Sequence, residues 1–306
     1  MTAHRPVIAA LAFVLSGGCL PEDTRPPPSE VLVRFVGSRV VTDGFETTDG
    51  WRIAFDQVLV SFGRPTLVGD DCNSYVEAGY SRIFDASVTE PQKVALDFGR
   101  GTCGLEVRFG NPSGDSLLGA NVTGAQKLFM RTPAEDVYSP DGAGISAYLV
   151  GHAQKGAVSK RFSFAWRTRY VPLRDCAKAP GDGPTQLALD GASMTVDFHA
   201  HPEGPFRQHL DATRPELWFA PFAAADDEGD ADGEVTLAEL HAKQLDSVAG
   251  LLPDDLVPKG SGLTRSPFTT LADYVWIGTF PKLATYGSDG PCRAPLSPFE
   301  EEDDGP

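Results

Sequence analysis

What this chain has least of is positive charge. Lysine and arginine number 26 against 42 aspartates and glutamates, a formal net charge of −16. Such a surface is a poor partner for nucleic acid and for anionic lipid headgroups, because both carry charge of the same sign. Long apolar runs are missing as well: Val7 to Leu15 is nine residues, far short of the ~20 that a bilayer-crossing helix needs. Several catalytic signatures are absent. Gly144-Ile-Ser146-Ala-Tyr148 and Gly191-Ala-Ser193-Met-Thr195 both lack the last glycine of a nucleophile elbow. No phosphate-cradling Gly-x-x-x-x-Gly-Lys-Ser/Thr occurs, and no Cys-x-x-Cys pair offers a thiolate zinc or redox site. Nothing here marks an enzyme. The separation of carboxylates that glycoside chemistry requires exists only in space.

What is present begins with an address. Met1 to Arg5 is followed by the apolar run, then by Ser16-Gly17-Gly18 and Cys19, the layout of a secretory signal over residues 1–18. Leu15-Ser-Gly-Gly-Cys19 resembles a bacterial lipobox, although the leucine stands one place earlier than the family prefers. The resemblance implies lipidation at Cys19, a membrane partner through that anchor, and, with Leu20 next, an outer-membrane lipoprotein. Cleavage after Gly18 by an ordinary signal peptidase is the alternative. Without Cys19 the remaining cysteines are Cys72, Cys103, Cys176 and Cys292, an even set for two disulfides in an oxidising compartment. Proximity to domain limits favours Cys72 with Cys103 and Cys176 with Cys292, while four buried thiols are the plainer reading.

Residues 19–29 carry four prolines. They read as an extended tether, at about 3 Å per residue. From 30 to 200 short alternating runs separated by turns predict strands: Leu105, Val107 and Phe109, or Phe162, Phe164 and Trp166. Apolar parity switches between Trp51-Ile53-Phe55 and Val58-Val60-Phe62, which demands a bulge near Asp56-Gln57. The expected fold is α+β: an N-terminal antiparallel β-sandwich, then a helical segment over 201–295 and an acidic tail at 296–306. In pattern the first part loosely resembles secreted β-sandwich modules of bacterial lipoproteins. Helices are predicted over 205–210, 216–225 (interrupted by Pro221), 236–248, and from Ser266-Pro267 to Gly278.

Two stretches carry candidate ion chemistry. Glu228, Asp230, Asp232, Gly233, Glu234, Val235, Thr236 and Glu239 fall at positions 1, 3, 5, 6, 7, 8, 9 and 12 of a pattern that resembles an EF-hand calcium loop. The resemblance implies calcium bound by Glu228, Asp230, Asp232, Glu234, Thr236 and Glu239. Position 1 is normally Asp, so either the longer Glu228 serves or Asp227 replaces it through a bulge. From Asp226 to Glu239 there are seven carboxylates and no basic residue, which repel one another without a cation. An acidic loop capping a helix is the bland alternative. The second stretch is Asp197, His199 and His201, alternating along a predicted strand where a His-x-His pair suits zinc or copper. The plainer reading is a polar strand face.

Together these features predict an exported, lipid-anchored calcium-binding protein with a non-catalytic binding or structural role. The runner-up is a copper- or zinc-binding protein, or a metal-dependent enzyme, centred on His199 and His201. No motif specifies a protein or glycan ligand.

Overall fold

The structure, a computed structural model, describes residues 27–76, 80–211, 213–251, 256 and 266–295. The signal, Cys19, most of the tether and the acidic tail lie outside the described residues. The first part contains β1 (Ser29–Val36), α1 (Val40–Asp43), β2 (Phe45–Glu46), β3 (Arg52–Val68), β4 (Cys72–Val76), β5 (Ser81–Asp85), β6 (Gln92–Phe109) and β7 (Leu117–Leu118). There follow α2 (Gly124–Arg131), β8 (Ile145–Lys155), β9 (Val158–Arg167), β10 (Val171–Leu173), β11 (Leu187–Leu189) and β12 (Met194–Ala200). The remainder holds α3 (Ala220–Glu228), β13 (Glu234–Val235), α4 (Leu237–Ala242), α5 (Leu271–Asp273) and β14 (Ala284–Tyr286), with a π-helical turn at Tyr274–Thr279. Strand dominates, and the α+β class stands.

The strands form one curled sheet along the path β13-β9-β8-β3-β6-β1-β12-β14. Curling follows from two strands too long to stay flat, β3 with 17 residues and β6 with 18. The first part of β6 pairs with β1 and β4, whereas its last residues pair with β3 and β10. Gly101 marks the change: its φ is +90°, and a Cβ there would lie 1.9 Å from the Asp71 carbonyl oxygen. The parity switch in β3 is a register shift between Phe55 and Gln57 against β8, as the alternation demands. Pairing is mixed rather than antiparallel throughout. β1 runs parallel to β12, β5 to β7 and β13 to β9. A tight hairpin imposes antiparallel pairing, but β1 and β12 are joined by a long stretch of chain that leaves either direction open.

Both expected disulfides are present, Cys72 with Cys103 and Cys176 with Cys292, closing sequence separations of 31 and 116 residues. The main apolar core crosses residue 200. Phe162 and Phe164 of β9 pack on Phe206 and Phe222, and Trp166 packs on Phe280. The helices are shorter than the sequence predicts. Pro221 begins α3 instead of interrupting it, because a first-turn proline gives up an N–H that has no helical partner anyway. The expected helix at 205–210 is a single 3-10 turn, Gly204–Phe206. The helix expected to leave Ser266 starts at Thr270, whose hydroxyl accepts from the Asp273 N–H while Asp273 reaches back to the Thr270 N–H. Among the described residues no helix is long and apolar enough to cross a membrane, which does not bear on β-barrel spans.

Candidate metal site

The acidic loop lies between α3 and α4 and is held to the sheet in its middle. Val235 is buried and β13 pairs with β9, setting Glu234 beside Arg161 and Val235 beside Phe162. The Arg161 N–H also donates to the Gly233 carbonyl at 2.8 Å. Gly233, at φ +89°, makes the turn that returns the chain to the sheet edge. Past the strand, Thr236 caps α4. Its hydroxyl accepts from the Glu239 N–H at 3.3 Å, and Glu239 Oε2 accepts from the Thr236 N–H at 2.8 Å and from its hydroxyl at 2.9 Å. This reciprocal cap satisfies two orphan N–H groups of a short helix.

Carboxylate oxygens of Asp226, Asp230 and Asp232 converge, one from each lying within 4.8 Å of the others. Asp230 and Asp232 are exposed, whereas Asp226 is fully buried. Asp226 Oδ1 accepts from the Gly233 N–H at 3.2 Å, and its other oxygen is bonded to the ammonium of Lys160. Lys160 Nζ also reaches Asp227 Oδ1 at 2.5 Å. Burial works against the charged form of Lys160, but the Asp226 and Asp227 carboxylates outweigh it and raise its pKa. The second oxygen of Glu239, Oε1, is buried without a hydrogen-bond partner. It faces Gly229: a Cβ on that glycine would sit 2.6 Å from it.

The loop residues picked out from the sequence therefore part company. Asp230 and Asp232 are in the cluster, and Glu239 turns one free oxygen toward the loop. Glu228, the last residue of α3, points instead to Lys243 Nζ at 2.5 Å, and Asp227 is held by Lys160. Glu234 is exposed, its N–H donating to Asp232 Oδ1 at 2.8 Å, and Thr236 is occupied by the cap. Asp226, not Glu228, is the third member of the cluster. It stands two residues earlier, at the final turn of α3, where a helix turns its side chain into the core. Its signal in the sequence is slight: the first acid after the small apolar run Ala223-Ala-Ala225. Lys160 carries no local signal at all.

On β12 the other candidate set disperses. Asp197 accepts both Nε and Nη2 of Arg34 on the neighbouring β1, at 2.7 and 2.8 Å. His201 has both ring nitrogens engaged, Nδ1 with Glu203 Oε1 at 2.7 Å and Nε2 with the Ser288 carbonyl at 2.8 Å. Both partners accept, which suits an imidazolium. Burial works against that charge, but the Glu203 carboxylate and the Ser288 carbonyl outweigh it and raise the pKa. Burial lowers the pKa of His199, with Asp197 acting in the opposite direction. Asp197, His199 and His201 do not form a converging ligand set in this structure.

No family model matches the chain, and comparison with curated proteins and with solved structures returns no match.

Proposed function

We propose that the chain is an exported, lipid-anchored calcium-binding surface protein whose ion site is the loop from Asp226 to Glu239, with a binding or structural role rather than a catalytic one. The observation that carries this reading is the convergence of Asp226, Asp230 and Asp232, with the unsatisfied Oε1 of Glu239 beside Gly229 of the same loop. All the donors are hard carboxylate oxygens, the set that calcium prefers over zinc or copper. On this reading α3 and α4 are the helices of an EF-hand-like unit. Asp226 is its first ligand, and the curled sheet is a sandwich-like scaffold that holds the unit through β13. Lys160 keeps the buried carboxylate neutralised when calcium is away. Two disulfides and the lipobox resemblance of Leu15 to Cys19 support a reading in which the protein works outside the cytoplasm. Calcium is plentiful there, and sites with dissociation constants of about 0.1 to 1 mM are useful.

Calorimetric titration with calcium is the direct test. Saturable binding in the millimolar range or tighter is expected in the wild type, with loss in Asp226→Asn and Glu239→Gln and near-wild-type binding in Glu228→Gln. At ten times the dissociation constant the ion adds RT ln 11, about 1.4 kcal/mol, to stability. No heat at millimolar calcium, or equal binding in Asp226→Asn, removes the site. Partitioning of the Cys19→Ser chain tests the anchor separately: recovery in the membrane fraction at the wild-type level contradicts lipidation at that residue.

A further inference from the structure

His201 sits in an arrangement that a neutral histidine cannot satisfy. Its Nδ1 lies 2.7 Å from Glu203 Oε1 and its Nε2 2.8 Å from the Ser288 carbonyl. Both partners accept, whereas a neutral imidazole carries a single N–H. Loss of the proton therefore forces a choice: either Glu203 or Ser288 must face a lone pair. The two acceptors belong to different pieces of chain. Glu203 precedes the 3-10 turn Gly204–Phe206, and Ser288 stands at the exposed tip of the turn after β14, which Tyr286 and Gly290 close with reciprocal backbone bonds at 2.9 Å.

Glu203 is only half engaged. Oε1 is taken by His201, and Oε2 is buried with no hydrogen-bond partner. On the far side of the 3-10 turn Arg207 has the complementary deficit, since its Nε and Nη1 are buried with no acceptor. Buried groups of this kind cost stability until they are paired. Arg207 is near enough to His201 and to Lys282 to work against the charge of each. One carboxylate thus has two cations near it and bonds one of them. Other charged groups on the surrounding elements are His199 and Asp197 of β12, the latter held by Arg34, with Asp289 on the Ser288 turn, Asp211 beyond Arg207 and Lys282 ahead of β14. Among the described residues none of these bonds to the side chain of Glu203 or to the His201 ring. Phe206, between the two cations, is fully buried against Phe162, Phe164 and Phe222. It fixes the backbone of the turn, so a change of partner needs side chains only.

We propose that Glu203 is the moving part of a pH-operated exchange: it pairs with His201 while that ring is an imidazolium, and turns to Arg207 when the ring loses its proton. The direction follows from which groups end up paired. In the exchanged state Glu203 and Arg207 form a charge-assisted bond that satisfies atoms left without partners before, and neutral His201 keeps its one N–H at Nε2 for the Ser288 carbonyl. If Glu203 stayed, the N–H would be kept at Nδ1, the Nε2 lone pair would face the Ser288 carbonyl, and Arg207 would remain unpaired. The His201 pairing is complete below the ordinary histidine value of about 6.5, and is lost as pH rises through the raised value of the folded state. The inference rests on neither the calcium site nor the lipid anchor.

Imidazole nitrogen shifts of His201, measured by NMR on the full chain across the histidine range, test it through the tautomer. At about pH 5.5 both ring nitrogens should carry protons, and at about pH 9 the wild type should show the Nε2–H tautomer. In Arg207→Gln, where Glu203 has no second partner, the neutral ring should be the Nδ1–H tautomer instead. The melting temperature gives a second reading: Arg207→Gln should lose more stability at about pH 9 than at about pH 5.5, because only the exchanged state uses the guanidinium. A neutral ring at about pH 5.5 overturns the proposal, and so does an Nδ1–H tautomer in the wild type at about pH 9, since Glu203 would then have stayed in place. A loss in Arg207→Gln that is equal at both pH values, or larger at the lower one, also overturns it. The wild-type tautomer decides the matter even if a variant fails to fold.

Discussion

The loop between α3 and α4 and the polar face of β12 present the same kind of promise in sequence: ligand-type side chains at regular spacing. In three dimensions they differ by what their neighbours do. On β12, Arg34 takes both oxygens of Asp197, and Glu203 with the Ser288 carbonyl takes both nitrogens of His201. In the loop three carboxylates converge, and an oxygen of Glu239 is left unsatisfied beside Gly229. Spacing along a chain nominates ligands, but one already held must break that bond before it can bind a metal: Asp197 and His201 are held on both ligand atoms, and in the loop Asp226 has to exchange the Lys160 ammonium for the ion, whereas Glu239 Oε1 has nothing to give up. The comparison teaches that coordination capacity is whatever remains after the protein has satisfied its own polar groups.

The sharpest way to break this contrast is to remove the cation from the loop. Lys160 and Asp226 have side-chain exposures of 7% and 0%, so Lys160→Met leaves a buried carboxylate without its partner. Removing one member of such a pair costs about 3–5 kcal/mol. Urea denaturation in chelator should show that loss, with a large part recovered in millimolar calcium if the ion replaces the ammonium. Loss of stability that calcium leaves unchanged would detach Asp226 from the ion site.

A smaller effect is expected from Gly229→Ala. The new methyl would meet the Glu239 carboxylate at 2.6 Å, forcing it to swing out of the Thr236 cap. Weakening the cap costs about 1 kcal/mol. Calcium titration should show weaker binding alongside the lower melting temperature, because the same carboxylate serves both.

The contrast is sharpened by pH at His201. Its folded pKa is raised, so the folded state binds the proton more tightly than the unfolded chain. The resulting stabilisation is fully present below the unfolded value of about 6.5 and is lost as pH rises through the raised folded value. His199 is shifted the other way and loses stability as pH falls through the unfolded value. The readout is therefore the difference in melting temperature between wild type and His201→Gln, which should narrow as pH climbs through that range. A gap that widens with pH would mean that His201 is not held as an imidazolium.

The least change is expected where the sequence offered a transition metal. Zinc or copper titrated into the protein should bind no more tightly to wild type than to His199→Ala. Stoichiometric binding lost in that variant would reverse the comparison.

Sequence alone determined the local matters. Alternation marked the buried faces of β6 and β9, and the parity switch at Asp56-Gln57 gave the register shift, since a period of two cannot change phase without an extra residue. Even cysteine number and position between segments led to both disulfides. The acidic loop was visible because its seven carboxylates lie close together in sequence, with Gly233, Val235 and Glu239 at fixed distances among them.

Only the tertiary structure decided which strands run parallel, where the helices stop, and which acids meet. The 14-stranded sheet pairs segments as remote as β1 and β12, and no local pattern encodes direction across such a connection. Thr270 overrode Ser266 as a helix start because its side chain and Asp273 close a reciprocal cap. Asp226 joins the carboxylate cluster and Glu228 does not, because Lys160 holds the one and Lys243 the other. Lys160 is 66 residues away in the chain. An electrostatic partner at that distance is set by how the sheet curls, and burial then gives the pair a strength that the same charges would lack in water.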